Sequence, residues 1–355
     1  MNSSRISRIE VFPLNAPLVQ PFRTALGQHD SLENLSVKVT LADGTVGFGE
    51  AALARHITGE TRSQTKKNIS CIGGILLGKD ALRYRSISDL LHEALPTNKA
   101  AVAGIETALF DALAKQKRIP LWKMFGSRCR RLKTDITIVI ASLKESETTA
   151  AAYYKQGFRA FKIKIGRDEE LDFQRVVAVR RVVKDSRLYL DANQGYSAAM
   201  TLRFVEKLKN AGIRPAMIEQ PVPKEDWQGL QEVTRLCKVP ICADESVRNL
   251  ADCKAAIRDK AVDVINIKFM KSGIVQGLAI ATLAHKAGIA LMIGGMMESS
   301  LAMTAAAHFA AGLGYFKYVD LDTPFFIKDG LCMNPYLSRS GVYNLKGVKA
   351  GIGIE

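Results

Sequence analysis

The sequence predicts an eight-stranded β/α barrel preceded by an N-terminal α+β domain. Three observations predict it. After Arg131, about eight short apolar runs alternate with amphipathic helical segments, and eight is the number of parallel strands that closes such a barrel. Before that point the order differs, with strands first and helices after them. The 355 residues also suffice for one barrel of roughly 200–250 residues plus an accessory domain.

The first domain spans residues 1–130. Ile6–Pro13, Asn34–Leu41 and Thr45–Gly49 read as strands, and Asp43-Gly44 between the last two is a hairpin signal. Pro21–Asp30 reads as a polar flap and Arg55–Thr61 as a second covering loop. Residues 60–126 read as helices, clearest over Ala100–Lys115, where apolar residues recur at helical spacing. The barrel occupies 131–325. Its strands are predicted at Ile136–Ala141, Ala160–Ile165, Leu188–Asp191, Met217–Glu219, Ile241–Asp244, Val262–Lys268, Ala290–Ile293 and Tyr318–Leu321. They are apolar throughout rather than alternating, as expected of parallel strands covered by helices. An open doubly wound sheet would carry a Gly-rich phosphate turn after an early strand, and the chain has none; Gly47–Glu50 falls in the hairpin region. The tail, 326–355, contains no further βα unit and is expected to return to the first domain.

Composition narrows the function. Hydrophobic residues make up 47% and charged residues 24%, ordinary for a globular chain. No apolar run is long enough to span a membrane, and the first residues read directly into a strand, so a cytoplasmic protein with no membrane partner is expected. The six cysteines (Cys71, Cys129, Cys237, Cys242, Cys253 and Cys332) form no CxxC pair and read as reduced thiols. The net charge of +15 raises nucleic acid as a partner. The basic residues are nonetheless scattered, with no aromatic-interleaved stripe, which argues for a solvated surface and no nucleic acid. The reading leaves room for a homo-oligomer.

Chemistry is concentrated at the strand C-termini, where barrel active sites are built. The second strand ends Lys162-Ile163-Lys164, the third at Asp191, the fourth at Glu219 and the fifth at Asp244; the sixth ends at Lys268, and the eighth runs into Asp320-Leu321-Asp322. Residues two apart on a strand face the same way, so Lys162 and Lys164 both point into the mouth. Asp191, Glu219 and Asp244, on adjacent strands, form an all-oxygen set suited to Mg²⁺, and the chain lacks the HExxH that zinc would favour. The second and sixth strands lie opposite each other, so Lys164 and Lys268 flank whatever occupies the mouth. The eighth lies opposite the fourth, which places Asp320 and Asp322 across from the metal. This layout suits removal of a proton from one face of a carbon beside a carboxylate and its return to the other. The cation and Lys162 would stabilise the enediolate, and burial with neighbouring positive charge is expected to lower the lysine pKa values toward the working pH.

The motifs KIKIG, LDANQGY, IEQPV, ADES and INIK, in this order and at barrel spacing, resemble the muconate lactonizing subgroup of the enolase superfamily over nearly the whole chain. The resemblance implies a modified TIM barrel, (β/α)7β, with an α+β capping domain completed by the C-terminal tail. It implies Asp191, Glu219 and Asp244 as Mg²⁺ ligands, Lys164 and Lys268 as the acid/base pair, and Lys162 as the enolate-stabilising lysine. Asp320-Leu321-Asp322 is similar to the Asp-x-Asp motif with which dipeptide epimerases hold the ammonium of the substrate's N-terminal residue. An extended dipeptide of roughly 7 Å spans the distance from metal to aspartates. Epimerisation at the C-terminal residue of a dipeptide is therefore the expected activity. Muconate cycloisomerase, o-succinylbenzoate synthase and N-acylamino acid racemase are alternatives whose substrates lack the ammonium. A non-catalytic basic binding protein is the remote one. In the Ala-Glu-specific members an arginine of the flap binds the substrate carboxylate. Gly27 stands at that place here, which leaves Arg23 or Arg55 as substitutes, or an apolar pocket built with Met296, Met297 and Leu26. Thr137, inward on the first barrel strand, is a further substrate-contact candidate from the resemblance.

Overall fold

The computed structural model describes residues 3–328 and 334–354, so Cys332 lies outside the described residues. Strands β1 (Ile6–Arg23), β2 (Gln28–Leu41) and β3 (Val46–Ala51) form an antiparallel sheet in that order. The β2–β3 turn falls at Asp43-Gly44 as expected; Gly44 has φ 85°, and Asp43 Oδ1 accepts the Thr45 N–H at 2.9 Å. The expected flap is shorter than the sequence suggested. The β1–β2 ladder continues to Arg23↔Gln28, so Pro21–Asp30 is mostly strand and only residues 24–27 form the tip. The reason is a period-2 pattern concealed among polar residues: Ala16, Leu18 and Leu32 bury one face of the hairpin against Met297.

Four helices follow: α1 (Arg55–Thr58), α2 (Arg62–Leu76), α3 (Tyr84–Ala94) and α4 (Lys99–Gln116). Helix α4 is buried from Ala100 to Ala114. It lies on β3 at backbone contact, because a Cβ added to Gly49 would meet the Gly104 carbonyl at 2.2 Å and one added to Gly47 the Ala108 carbonyl at 2.1 Å.

A short strand β4 (Leu132–Lys133) leads into the barrel. Its strands are β5 (Ile136–Ile138), β6 (Ala160–Lys164), β7 (Arg187–Asp191), β8 (Met217–Glu219), β9 (Ile241–Ala243), β10 (Val264–Ile267), β11 (Ala290–Ile293) and β12 (Phe316–Val319). They pair in parallel in chain order. The Asp135 N–H, bonded to the Val319 carbonyl at 3.0 Å, joins the two ends of the sheet. Seven helices lie between the strands: α5 (Leu143–Gln156), α6 (Glu169–Val182), α7 (Ala198–Asn210), α8 (Trp227–Leu236), α9 (Leu250–Arg258), α10 (Phe269–Lys286) and α11 (Ser300–Leu313). The architecture is thus (β/α)7β with an N-terminal β-sheet domain.

Strand positions agree with expectation to within a few residues, and two shifts matter. β10 stops at Ile267, so Lys268 is the N-cap of α10, and β12 stops at Val319, so Asp320 and Asp322 follow the strand. Inward side chains stack in layers. Tyr189, Met217, Cys242, Val264, Met292 and Tyr318 fill the lower barrel, with the charged residues above them. After residue 334 the tail forms β13 (Val342–Tyr343), antiparallel to β4. It then reaches the first domain, where the Ile352 N–H donates to Asp111 Oδ1 at 2.8 Å. Among the described residues no helix is long and apolar enough to cross a membrane.

Candidate active site

A cavity of about 450 Å³ opens at the C-terminal end of the barrel, between the strand ends and the hairpin tip. Lys162, Lys164, Asp244, Lys268, Asp320 and Asp322 all line it. Parity on β6 carries both lysines inward, as predicted.

The floor consists of two ion clusters bridged by Asn266, every member buried. Lys164 Nζ lies 2.5 Å from Asp191 Oδ2 and 3.2 Å from Asn193 Oδ1. Lys162 Nζ lies between the two carboxylate groups, 2.7 Å from Glu219 Oε2, 3.2 Å from Asp191 Oδ2 and 2.7 Å from Asp320 Oδ2. Lys268 Nζ donates to Asp244 Oδ2 at 2.6 Å, and Lys271 Nζ to Asp244 Oδ1 at 2.7 Å. Asn266 Nδ2 donates to Glu219 Oε1 at 2.7 Å.

These contacts set the protonation states. Burial works against the charge on Lys162, yet Asp320, Glu219 and Asp191 outweigh it and raise its pKa well above the ordinary lysine value. Burial likewise opposes the Lys268 charge, but Asp244 and Glu219 raise its pKa too. The lowering expected from the sequence supposed a cation beside the acid/base lysines, whereas here both ammonium groups bond carboxylates directly. Burial would raise Asp244, and Lys268 and Lys271 lower it instead. Glu219 is pushed up to about 7 by burial and by Asp191.

The Asp191, Glu219 and Asp244 set fits Mg²⁺. Three buried carboxylates on adjacent strands offer only hard oxygen donors, and Glu219 Oε2 accepts no hydrogen bond despite its ion pair with Lys162. The nearest soft donor, Cys242, faces the layer below, its thiol kept neutral first by burial. In this structure the three carboxylates turn towards lysines. Among the described residues, the group of three carboxylates with oxygens within 4.8 Å of one another is a different one, Asp135, Asp320 and Asp322.

Local backbone fixes the strand ends. Gln220, directly after Glu219, has φ 36°, a left-handed conformation uncommon outside glycine. The turn aims its side-chain oxygen at the N–H groups of Asp244 and Ser246, at 3.0 and 3.1 Å, which ties the fourth strand to the fifth. After Lys164, Asp172 accepts the Gly166 N–H at 2.7 Å and the Tyr196 hydroxyl at 2.9 Å. Arg167 donates to the Thr24 carbonyl at 2.8 Å and so holds the hairpin tip over the cavity.

Thr137 lines the cavity, and its N–H donates to Asp322 Oδ2 at 2.6 Å. Met296 and Met297 form part of the wall with Phe22, His29 and His56. Arg23 is corrected: its guanidinium bonds Gln28 Oε1 at 2.7 Å and is not part of the wall. Alternation on β1 explains this, since Phe22 takes the inward position. Arg55 and Leu26 are also outside the wall. A Cβ at Gly27 would meet the His56 ring at 2.8 Å, so the imidazole occupies the space an arginine there would need. His29 is pushed down to about 4 by burial and then by His56, and burial lowers His56 as well.

Reading strand ends alone missed several residues. Asp135 precedes Thr137 by two and Asn266 precedes Lys268 by two, so parity could have found both. Lys271 sits in the first turn of α10, where no strand-end argument reaches.

Residues 7–126 match the family described as mandelate racemase/muconate lactonizing enzyme, N-terminal domain, and residues 145–355 match the enolase C-terminal domain-like family. The chain belongs to the mandelate racemase/muconate lactonizing enzyme family of the enolase superfamily. A family member from Citrifermentans bemidjiense, a hydrophobic dipeptide epimerase, is 48% identical over 96% of this chain and 95% of the relative. The L-Ala-D/L-Glu epimerase of Bacillus subtilis is 36% identical over 99% of this chain and 96% of its own length. Among solved members of the family, a dipeptide epimerase from Enterococcus faecalis in complex with Mg and L-Leu-L-Tyr superposes with a TM-score of 0.94. It is 32% identical and the match covers 98% of this chain and 99% of that one.

Proposed function

We propose that this protein is a Mg²⁺-dependent dipeptide epimerase that inverts the α-carbon of the C-terminal residue. The observation that carries this reading is one cavity with buried carboxylates at both ends and, between them, Lys164 at the end of β6 and Lys268 at the N-cap of α10. Asp191, Glu219 and Asp244 would hold the Mg²⁺, which when bound supplies positive charge to offset that developing on the substrate carboxylate. With Asp191 and Asp244 serving a cation, Lys164 and Lys268 would be released from these ion pairs and would face the substrate carbon. One can then act as base and the other as acid. Lys162, between the two carboxylate groups, stabilises the enediolate. Asp320 and Asp322 receive the dipeptide's ammonium, a group absent from the substrates of cycloisomerases and N-acylamino acid racemases. Phe22, Met297 and the neutral His29–His56 pair favour an uncharged second side chain, in line with the hydrophobic specificity named for the 48%-identical relative. The five described cysteines are all free thiols, which supports a cytoplasmic enzyme.

Mg²⁺-loaded protein, incubated with hydrophobic dipeptides in D₂O, should add one deuterium at the C-terminal α-carbon. K164A and K268A should each abolish exchange from one epimer, with rates falling by about 10²–10⁴-fold. Absence of exchange from any dipeptide in wild-type protein would sink the reading.

A further inference from the structure

Asp135 is fully buried inside the barrel, below the cavity floor, and neither of its carboxylate oxygens has a hydrogen-bond partner. Its oxygens nevertheless lie within 4.8 Å of those of Asp320 and Asp322. Every other carboxylate here is compensated. Asp320 faces the Lys162 ammonium at 2.7 Å, and Asp322 accepts the Thr137 N–H at 2.6 Å. Facing Asp135 are Asp320 and Asp322 after β12, Lys162 on β6 and Tyr189 on β7. The Tyr189 hydroxyl is kept neutral, pushed up to about 12 chiefly by burial.

Three carboxylates this close, with one ammonium among them, cannot all ionise out of water. The proton belongs on the member that nothing else hydrogen-bonds. Burial, followed by Asp320 and Asp322, holds Asp135 well above the ordinary carboxylate range, and its neighbour for a shared proton is Asp320.

We propose that Asp135 is a positioning residue of the ammonium site, a neutral carboxylic acid whose O–H bonds to Asp320 and fixes that carboxylate towards the substrate cation. Asp135 is not part of the cavity wall, so it acts only through Asp320. Its neutrality removes one negative charge from the ammonium end of the cavity, and its hydrogen bond holds Asp320 together with the contact from Lys162 Nζ at 2.7 Å. This inference rests on the epimerase reading for the identity of the ligand, but not for the protonation state.

Two measurements on the full chain test it. Infrared difference spectra of wild type against D135N, with and without Mg²⁺ at neutral pH, should show the carbonyl stretch of a protonated carboxylic acid that D135N removes. Absence of any such band from the difference between wild type and D135N overturns the proposal. In dipeptide kinetics, D135A should raise KM about tenfold or more with kcat changed less than about threefold, the effect of loosening one charge-assisted hydrogen bond. D135N keeps an N–H donor and should recover most of that loss. Equal impairment of D135N and D135A would mean an ionised Asp135 and overturn the proposal; an unchanged D135A would as well. Where D135A does not fold, the infrared spectra and D135N decide alone. Were wild type inactive on every dipeptide, the epimerase reading would fall while the infrared result still ruled on Asp135.

Discussion

At the scale of single residues, the site is a set of ammonium–carboxylate pairs in which Lys162 serves both ends of the cavity. Its 2.7 Å contact with Asp320 shows a cation already accommodated where the substrate ammonium is proposed to sit. The double variant D320N/D322N should therefore lower kcat/KM for dipeptides on the order of 10²-fold or more, since a buried charge pair is broken. Steady-state kinetics check this, and unaltered turnover would remove the aspartates from substrate binding. Much of this layer was legible in the sequence, because Lys162, Lys164, Asp191, Glu219 and Asp244 obey a simple parity on short strands. The protonation states were not. Sequence spacing placed the lysines near positive charge, whereas the folded chain pairs each with a carboxylate.

At the scale of elements, α10 illustrates how capping replaces a missing turn. Gly273 interrupts it with φ 68°, and Glu106 of α4 accepts the N–H groups of Ile274 and Val275 at 2.6 and 3.0 Å. A Cβ at Gly273 would lie 2.5 Å from Glu106 Oε2, so G273A should destabilise by about 2 kcal/mol or more in urea unfolding. Burial raises Glu106 to about 7. A carboxyl raised in the folded state binds more protons there than when unfolded, so its contribution falls as pH rises from about 4.5 to 7. Wild type should lose stability across this window relative to E106Q, by an amount on the order of 3 kcal/mol. Parallel unfolding curves at pH 5 and pH 8 measure it, and identical pH dependence in both proteins would refute it. Neither the kink nor its cap was readable beforehand, since Phe269–Lys286 scans as one apolar helix. The hairpin beyond Pro13 was missed for the opposite reason, as its polar outer face concealed the alternation that pairs β1 with β2.

For the whole molecule, the lysines make the fold independent of the metal. Because Lys164, Lys268 and Lys271 already neutralise Asp191 and Asp244, chelation by EDTA should abolish deuterium exchange while leaving the circular dichroism spectrum unchanged. Unfolding on chelation would contradict this arrangement. The alternation of about eight strands with helices was plain in the sequence because each strand is a short apolar run followed by a helical segment. How α4 seats on the first sheet was not, since it depends on glycines whose importance appears only in three dimensions. Gly47, Gly49 and Gly104 put α4 against β3 with no side chain between. The next residue, Glu50, is buried and accepts hydrogen bonds from Asn34 Nδ2 at 2.6 Å and the Ser299 N–H at 3.0 Å, while Asn34 also holds the Met297 carbonyl at 2.8 Å. The wall proposed to meet the substrate's side chain is thus hung from the helix–sheet seam of the other domain. A single methyl acquired at that seam would displace the wall, so specificity in this lineage can drift through mutations at positions that no ligand ever touches.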